Sequence, residues 1–198
     1  MKKLFIVGAS GHGRVVADIA RHIGYMDIVF LDDDITLKKC GRYPVVGKPD
    51  TYSSEDGDLF VAIGNATIRK RIMDKLGTCI SLIHSNAVIA EEVKIGEGTV
   101  IMAGAVINPG TKIGRGCIIN TCSSVDHDCN ISDFVHVSVG AHICGTVNIG
   151  ENSWVGAGTT IRNNIQICHN TMIGAGAVVI QNIEQPGTYV GIPAKKIK

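Results

Sequence analysis

The sequence is poor in aromatic side chains. They make up 5% of 198 residues, whereas hydrophobic residues as a whole make up 45%, so any core is aliphatic. No run of 18 apolar residues occurs, which excludes a helical membrane span. No Cys-x-x-Cys occurs either, and the 7 cysteines fall at irregular spacing. That pattern argues against a structural metal site and for free, mostly buried thiols in a reducing compartment. Net charge is also scarce, at +1, so nothing global attracts nucleic acid or a membrane surface. Met1-Lys2-Lys3 leads into only a short apolar stretch, Leu4 to Gly8, before Ser10 and His12. That is too short for a secretory leader, and a cytoplasmic location is expected.

A repeat dominates what remains. Written in blocks of six from Ile83, the chain begins every block through Val179 with Ile or Val, without a gap, in 17 successive blocks. The fifth residue of each block is small (Ala, Ser, Thr or Cys) in 12 of them and Val or Ile in the others. A period of six fits no amphipathic helix. It fits a triangular solenoid in which each hexad makes one short strand and one corner, and three hexads make a coil of 18 residues. First and fifth residues then point inward and stack on their equivalents one coil away. Gly follows the first residue in Ile95-Gly96, Ile113-Gly114, Ile149-Gly150, Val155-Gly156 and Ile173-Gly174, and is expected to supply positive φ at the corners. The fold expected for residues 83–198 is a left-handed parallel β-helix of five to six coils with a C-terminal cap.

Residues 1–82 read as a separate α/β domain, a small doubly wound parallel sheet. Leu4-Phe-Ile-Val7, Ile28-Val-Phe-Leu31 and Leu59-Phe-Val-Ala-Ile63 are strands. Helical periodicity runs from Arg14 to Ile23 through Val15, Val16, Ile19 and Ala20, and a basic helix lies around Arg69, Lys70 and Arg71. Ligands of such a sheet sit at the carboxyl ends of its strands. There the chain places the glycine turn Gly8-Ala-Ser-Gly-His-Gly13, the pair Asp32–Asp33 and Gly64-Asn65. Amide groups opening the first helix suit a phosphate. A carboxylate at the end of the second strand suits ribose hydroxyls or a base N–H. The spacing is Gly-x-x-Gly-x-Gly, not the Gly-x-Gly-x-x-Gly of NAD sites.

The solenoid register sorts the histidines. His127 is the third residue of its hexad, and His136 and His142 are sixth residues, so all three point outward. His127 lies in Asp126-His127-Asp128, where a carboxylate can hold one imidazole nitrogen and favour a general base. One coil on, at 127 + 18, stands Gly145, whose bare N–H suits a thioester oxyanion. A three-histidine metal site on one face needs ligands about 18 residues apart, and the gaps of 9, 6 and 27 between His127, His136, His142 and His169 do not match, so no metal is expected.

These residues resemble a family. The hexads and the closing Gly191-Ile-Pro-Ala-Lys195 resemble hexapeptide acyltransferases. The stretches Gly8–Gly13, Phe30–Asp33, Ala62–Asn65, Ser123–Cys129 and His136–Gly140 are most similar to bacterial UDP-4-amino-sugar N-acetyltransferases of the bacillosamine type, a subgroup near the sialic acid O-acetyltransferase-like proteins. The resemblance implies acetyl transfer from acetyl-CoA to a nucleotide-linked amino sugar by direct attack. It implies a homotrimer with active sites at subunit interfaces. Catalysis is then expected from His127, Asp128 and Gly145. Ser10, Gly11, His12, Asp32, Asp33, Gly64 and Asn65 are expected at the nucleotide sugar, and His136, Ala157 and Ala175 along the acetyl-CoA groove. The family's acid after the histidine is glutamate. Asp128 is one methylene shorter, which leaves open whether it or Asp126 holds the imidazole. Sialic acid O-acetylation and a non-catalytic nucleotide-sugar sensor are the alternative readings.

Overall fold

The computed structural model describes residues 2–197. Contacts divide the chain into two compact units, Met1–Ser85 and Asn86–Lys198.

The first unit is built on a five-stranded sheet. In chain order its elements are β1 (Leu4–Val7), α1 (Gly11–His22), β2 (Ile28–Leu31), β3 (Lys39–Cys40), β4 (Tyr43–Gly47), a 3-10 turn at Pro49–Thr51, β5 (Asp58–Val61) and α2 (Ala66–Leu76). Strand order is β3-β4-β2-β1-β5. β1 pairs in parallel with β2 and β5, and β2 pairs in parallel with β4. The edge pair β3–β4 is antiparallel, so the sheet is mixed rather than wholly parallel. The chain runs outward from β1 through β2 to β4 and returns on the other side of β1 to form β5. That reversal makes a crevice at the carboxyl ends of β1 and β5.

α1 buries Gly13, Val16, Ala17, Ile19 and Ala20. Val15 and Ile23, expected in that stripe, are 44% and 40% exposed, and Ala17 takes the inward place. Gly13 has a steric reason: a Cβ there would collide with the carbonyl oxygen of Gly8. Arg69 of the basic α2 is itself buried, its guanidinium donating to the carbonyls of Ile63 (2.6 Å) and Gly64 (2.8 Å).

The second unit is the solenoid. Its three faces carry parallel ladders of two-residue strands. One runs from Val88–Ile89 to Val178–Val179 and one from Lys94–Ile95 to Gln166–Ile167. The third runs from Val100–Ile101 to Thr171–Ile173 and is extended by Gly187–Val190 and the antiparallel Lys195–Lys196. Partners in each ladder are 18 residues apart, as in Val125↔Ile143. First residues from Ile101 to Val179 are all buried. Ile89 and Ile95, in the terminal coil, are half-buried. Ile83 departs from the expectation: it is exposed, and Leu82 is buried in its stead.

The corners also differ from the expectation. Positive φ falls on the fourth residue of the hexad, at Gly98, Gly104, Gly110 and Gly116, and equally at Cys122, Asp128, Phe134 and Thr146. Glycines after the first residue serve a different need. A Cβ on Gly96 or Gly150 would run into the backbone of Arg115 or His169 in the next coil. They allow consecutive coils to approach closely.

Small fifth residues do more than fit. Thr99 Oγ1 donates to the carbonyl of Gly114 (2.8 Å) and accepts the N–H of Cys117 (3.0 Å). Thr111 bonds Asp126 O (2.7 Å) and Cys129 N (3.2 Å) in the same way. Ser153 does so with Cys168 O (3.1 Å) and Thr171 N (3.2 Å). Each hydroxyl clamps both ends of the corner above and satisfies two buried backbone groups that would otherwise cost about 1–3 kcal/mol each.

Candidate active site

The third residue of each hexad stands at the corner tip. At Thr121, His127, Asp133, Val139 and Gly145 the N–H donates to no backbone carbonyl among the described residues, whereas second, fourth and sixth residues bond the neighbouring coil. At three tips a side chain supplies the acceptor: Asp133 for Arg115, Asn120 for Thr121 and Asp126 for His127. Among the described residues the N–H of Gly145 donates to nothing.

His127 and Gly145 are such tips in consecutive coils. The imidazole Nδ1–H donates to Asp128 Oδ2 at 2.8 Å. This fixes the tautomer and leaves Nε2 as the free acceptor. Nε2 faces the neighbouring tip: a Cβ on Gly145 would come within 2.5 Å of it. On the other side Asp128, at φ +58°, lays its carboxylate over Gly110, where a Cβ would collide with Oδ1. Asp126 does not hold the ring. Its Oδ1 accepts the His127 N–H at 2.9 Å and the Asn108 side-chain N–H at 2.7 Å. The Asp128 bond, and then the charge of Asp126, raise the His127 pKa above its ordinary value of 6.5. Cys129 points inward, its thiol donating to Cys144 O at 3.2 Å, and burial pushes its pKa up. It is unsuited to act as a nucleophile.

His136 departs from its expected exposure. It points outward by register yet is only 8% exposed, because Trp154, one coil on, stacks against it with ring centroids 4.6 Å apart. Trp154 Nε1–H in turn donates to Ser138 Oγ (2.7 Å), and Asn120 Nδ2 donates to His136 Nε2 (3.1 Å). His142 is exposed as expected and bonds Ser124 Oγ at 2.9 Å. Ala157 and Ala175 are exposed at stacked tips of one corner, below which Val139 is 50% exposed.

In the first unit a cavity of about 420 Å³ opens at the carboxyl ends of β1 and β5, lined among others by Gly8, Asp33, Ile63, Ile68 and Arg71. The expected residues divide into two groups around it. Ser10 caps α1, its Oγ accepting the Gly13 N–H (3.3 Å), and Asn65 caps α2, its Oδ1 accepting the Ile68 N–H (3.0 Å). Asp32 also lines the cavity, but both its oxygens are engaged, by the N–H groups of Ala9 (2.7 Å) and Asp34 (3.0 Å). Asp33 is exposed and also lines the cavity. A Cβ on Gly11 or Gly64 would meet nothing within 4 Å, so the fold itself does not require glycine there. His12 is held neutral, its pKa pushed down to about 4 by burial and by the charge of Arg69. Arg71 was read only as part of a basic helix, and Lys75 and Asp50 at this cavity, with Asn108, Thr111 and Trp154 at the solenoid, went unread in the sequence. A register offset of 18 residues finds two of these, linking Asn108 to Asp126 and Trp154 to His136.

Comparison with known proteins agrees with these two halves. Residues 3–76 match the PglD N-terminal domain, and residues 92–127 and 146–181 match the bacterial transferase hexapeptide (six repeats). The acetyltransferase domain of PglB from Neisseria gonorrhoeae is 40% identical, with a TM-score of 0.95 over 100% of both chains, and its structure has also been solved in complex with acetyl coenzyme A. A histidine-to-asparagine variant of perosamine N-acetyltransferase from Caulobacter crescentus, in complex with CoA and GDP-perosamine, is 32% identical, with a TM-score of 0.92 over 100% of this chain and 98% of that one. The UDP-N-acetylbacillosamine N-acetyltransferase of Bacillus subtilis is 38% identical over 52% of this chain, and the match spans about half of that relative, 52%.

Proposed function

We propose that this chain, which belongs to the family of PglD-type hexapeptide-repeat sugar N-acetyltransferases, transfers the acetyl group of acetyl-CoA to the amino group of a nucleotide-linked amino sugar. One observation carries the reading. His127 is held through Nδ1 by Asp128 at 2.8 Å, and its free Nε2 faces the tip of Gly145, whose N–H is unused among the described residues. Base and oxyanion donor thus stand on adjacent coils, the pairing that acyl transfer needs.

The sugar amine attacks the thioester carbonyl directly while Nε2 takes its proton. Asp128 stabilises the imidazolium that forms. The Gly145 N–H receives the developing oxyanion, and CoA thiolate departs with the C–S electron pair. A deprotonated amine is nucleophilic enough that no acyl-enzyme is needed, and the buried thiol of Cys129 is not called upon. The N-terminal domain takes the nucleotide, with Asp33 reading a donor edge of the base or ribose. Gly11 and Gly64 leave open space on that unit, and Ser10, Asp32 and Asn65 hold its loops in place. The corner of Val139, Ala157 and Ala175, a different edge of the solenoid from His127 and Gly145, receives acetyl-CoA with His136 beside it, so the thioester held there meets the base of a neighbouring copy. The exposed apolar surface of that corner suits a second copy of the chain, and we take the active assembly to be a homotrimer.

A thiol-release assay with acetyl-CoA against UDP-, GDP- and dTDP-linked amino sugars and free sialic acid tests the reading. Turnover with a nucleotide amino sugar is expected. Turnover with sialic acid alone would make the enzyme an O-acetyltransferase, and no thiol release with any acceptor would make it a sensor.

A further inference from the structure

We propose that Asp126, held from the coil below by Asn108, is the positioning residue that fixes the backbone and sets the basicity of His127. The proposal rests on His127 being the base of the acetyl transfer argued above.

The corner tips explain why such a residue is needed. The His127 N–H has no backbone carbonyl to bond among the described residues, so the tip needs another acceptor. At His127 the gap is closed from its own chain. Asp126 Oδ1 accepts the His127 N–H at 2.9 Å. Asn108, 18 residues earlier and outward on the same face, donates its Nδ2–H to that same oxygen at 2.7 Å. The carboxylate is therefore anchored in the neighbouring coil, and the tip with it.

The rest of the corner is tied as firmly. Thr111 Oγ1 donates to Asp126 O (2.7 Å), Asp128 N–H donates to Pro109 O (3.0 Å), and Thr146 N–H donates to His127 O (2.9 Å). Only the imidazole stands free of the framework, and Asp128 holds it. Two carboxylates thus divide two tasks: Asp128 orients the ring and Asp126 fixes the chain that bears it.

Asp126 also acts through its charge. The Asn108 and His127 N–H bonds hold its carboxyl below the ordinary carboxylate range, so it stays ionised where the enzyme works. The neighbouring tips add no opposing charge. Pro109 and Gly110 lie below His127, and Gly145 and Thr146 lie above. Beside Asp128, the titratable side chains of the coil above are Cys144, 18 residues on from Asp126, and His142, which faces Ser124.

The test is a histidine NMR titration of the full chain, combined with the pH profile of kcat/KM, in wild type, Asp126→Asn, Asp126→Ala and Asn108→Ala. Asparagine keeps an oxygen for the His127 N–H and removes the charge. Its His127 midpoint should fall toward 6.5, and the rising limb should move to lower pH with it. Alanine removes the anchor as well, and kcat should drop on the order of 10–100-fold while both KM values stay within about twofold. Asn108→Ala should lie between wild type and Asp126→Ala. A His127 midpoint unmoved in both Asp126 variants, with kcat near wild type, overturns the proposal. The titration needs no substrate. If wild type releases no thiol, the proposed function fails by itself, and the midpoint in Asp126→Asn still decides whether Asp126 sets the imidazole.

Discussion

Gly145 and His127 are in register one coil apart, and the imidazole occupies the space that a side chain at 145 would take, 2.5 Å from Nε2 and 2.6 Å from Cε1. Gly145 is not in the left-handed region, so alanine is tolerated by the backbone and penalised only by the ring. The ring is exposed and can swing away. Gly145→Ala should therefore fold normally and melt near wild type, yet lose roughly 10²-fold in kcat through misplacement of the base. A Gly145→Ala enzyme with unchanged kcat would show that this face of the imidazole is not where the thioester sits.

Asp32 and Asp33 should separate in their effects. Asp33 is exposed and lines the cavity, so Asp33→Ala should raise the KM for sugar nucleotide and leave that for acetyl-CoA unchanged. Asp32 bonds the N–H groups of Ala9 and Asp34, so Asp32→Ala should lower stability by about 1–2 kcal/mol as read by denaturant unfolding. Equal KM effects on both substrates in Asp33→Ala would contradict the division of labour between the units.

The solenoid is readable because its constraint is strict. A residue pointing into a triangular core has no freedom of character, so Ile and Val recur from Ile101 to Val179 with every one buried. The proposed base His127 and oxyanion donor Gly145 follow from that register by adding 18. What the register gives is direction, not neighbours. His136 points outward, but its cover comes from Trp154 in the next coil. Glycine placement misleads as well. Positive φ at the corners is carried by Cys122, Asp128, Phe134 and Thr146 as readily as by glycine, and the glycines that follow first residues, such as Gly96 and Gly150, mark close approach of coils instead. In the first unit β3 and β4 escape notice because Lys39–Cys40 is two residues long and β4 contains Pro44 on a half-exposed strand. The pair Asp32–Asp33 reads alike in sequence, and only the turn geometry shows which carboxylate is engaged.

The corner clamps predict where stability resides. Thr111→Val keeps shape and burial but leaves Asp126 O and Cys129 N without their bonds to the hydroxyl. It should cost about 2–4 kcal/mol in unfolding free energy, two unsatisfied groups at about 1–3 kcal/mol each with partial relaxation. Ile149, 1% exposed, is the harsher site: an unpaired carboxylate in Ile149→Asp should prevent folding. A stable, soluble Ile149→Asp protein would contradict the solenoid core.

The pH dependence follows from the imidazole's surroundings. Asp128 first, and Asp126 after it, favour the protonated ring and raise its pKa above 6.5. Catalysis needs the neutral ring, so kcat/KM should rise with pH through a limb centred above 6.5. Asp128→Asn removes the largest cause of the shift, so the limb should move to lower pH while kcat falls, because the imidazolium has lost its anionic partner. A limb that stays in place in Asp128→Asn would mean that another group titrates.

The most direct test compares kcat for His127→Ala and His136→Ala with acetyl-CoA and an accepted amino sugar. A general base contributes roughly 10²–10⁴-fold, so His127→Ala should lose kcat on that order with little change in either KM, and the rising limb of its pH profile should vanish. His136 lies against Trp154 and bonds Asn120, so His136→Ala should raise the KM for acetyl-CoA more than it lowers kcat. Near-full kcat in His127→Ala together with an inactive His136→Ala would contradict the account.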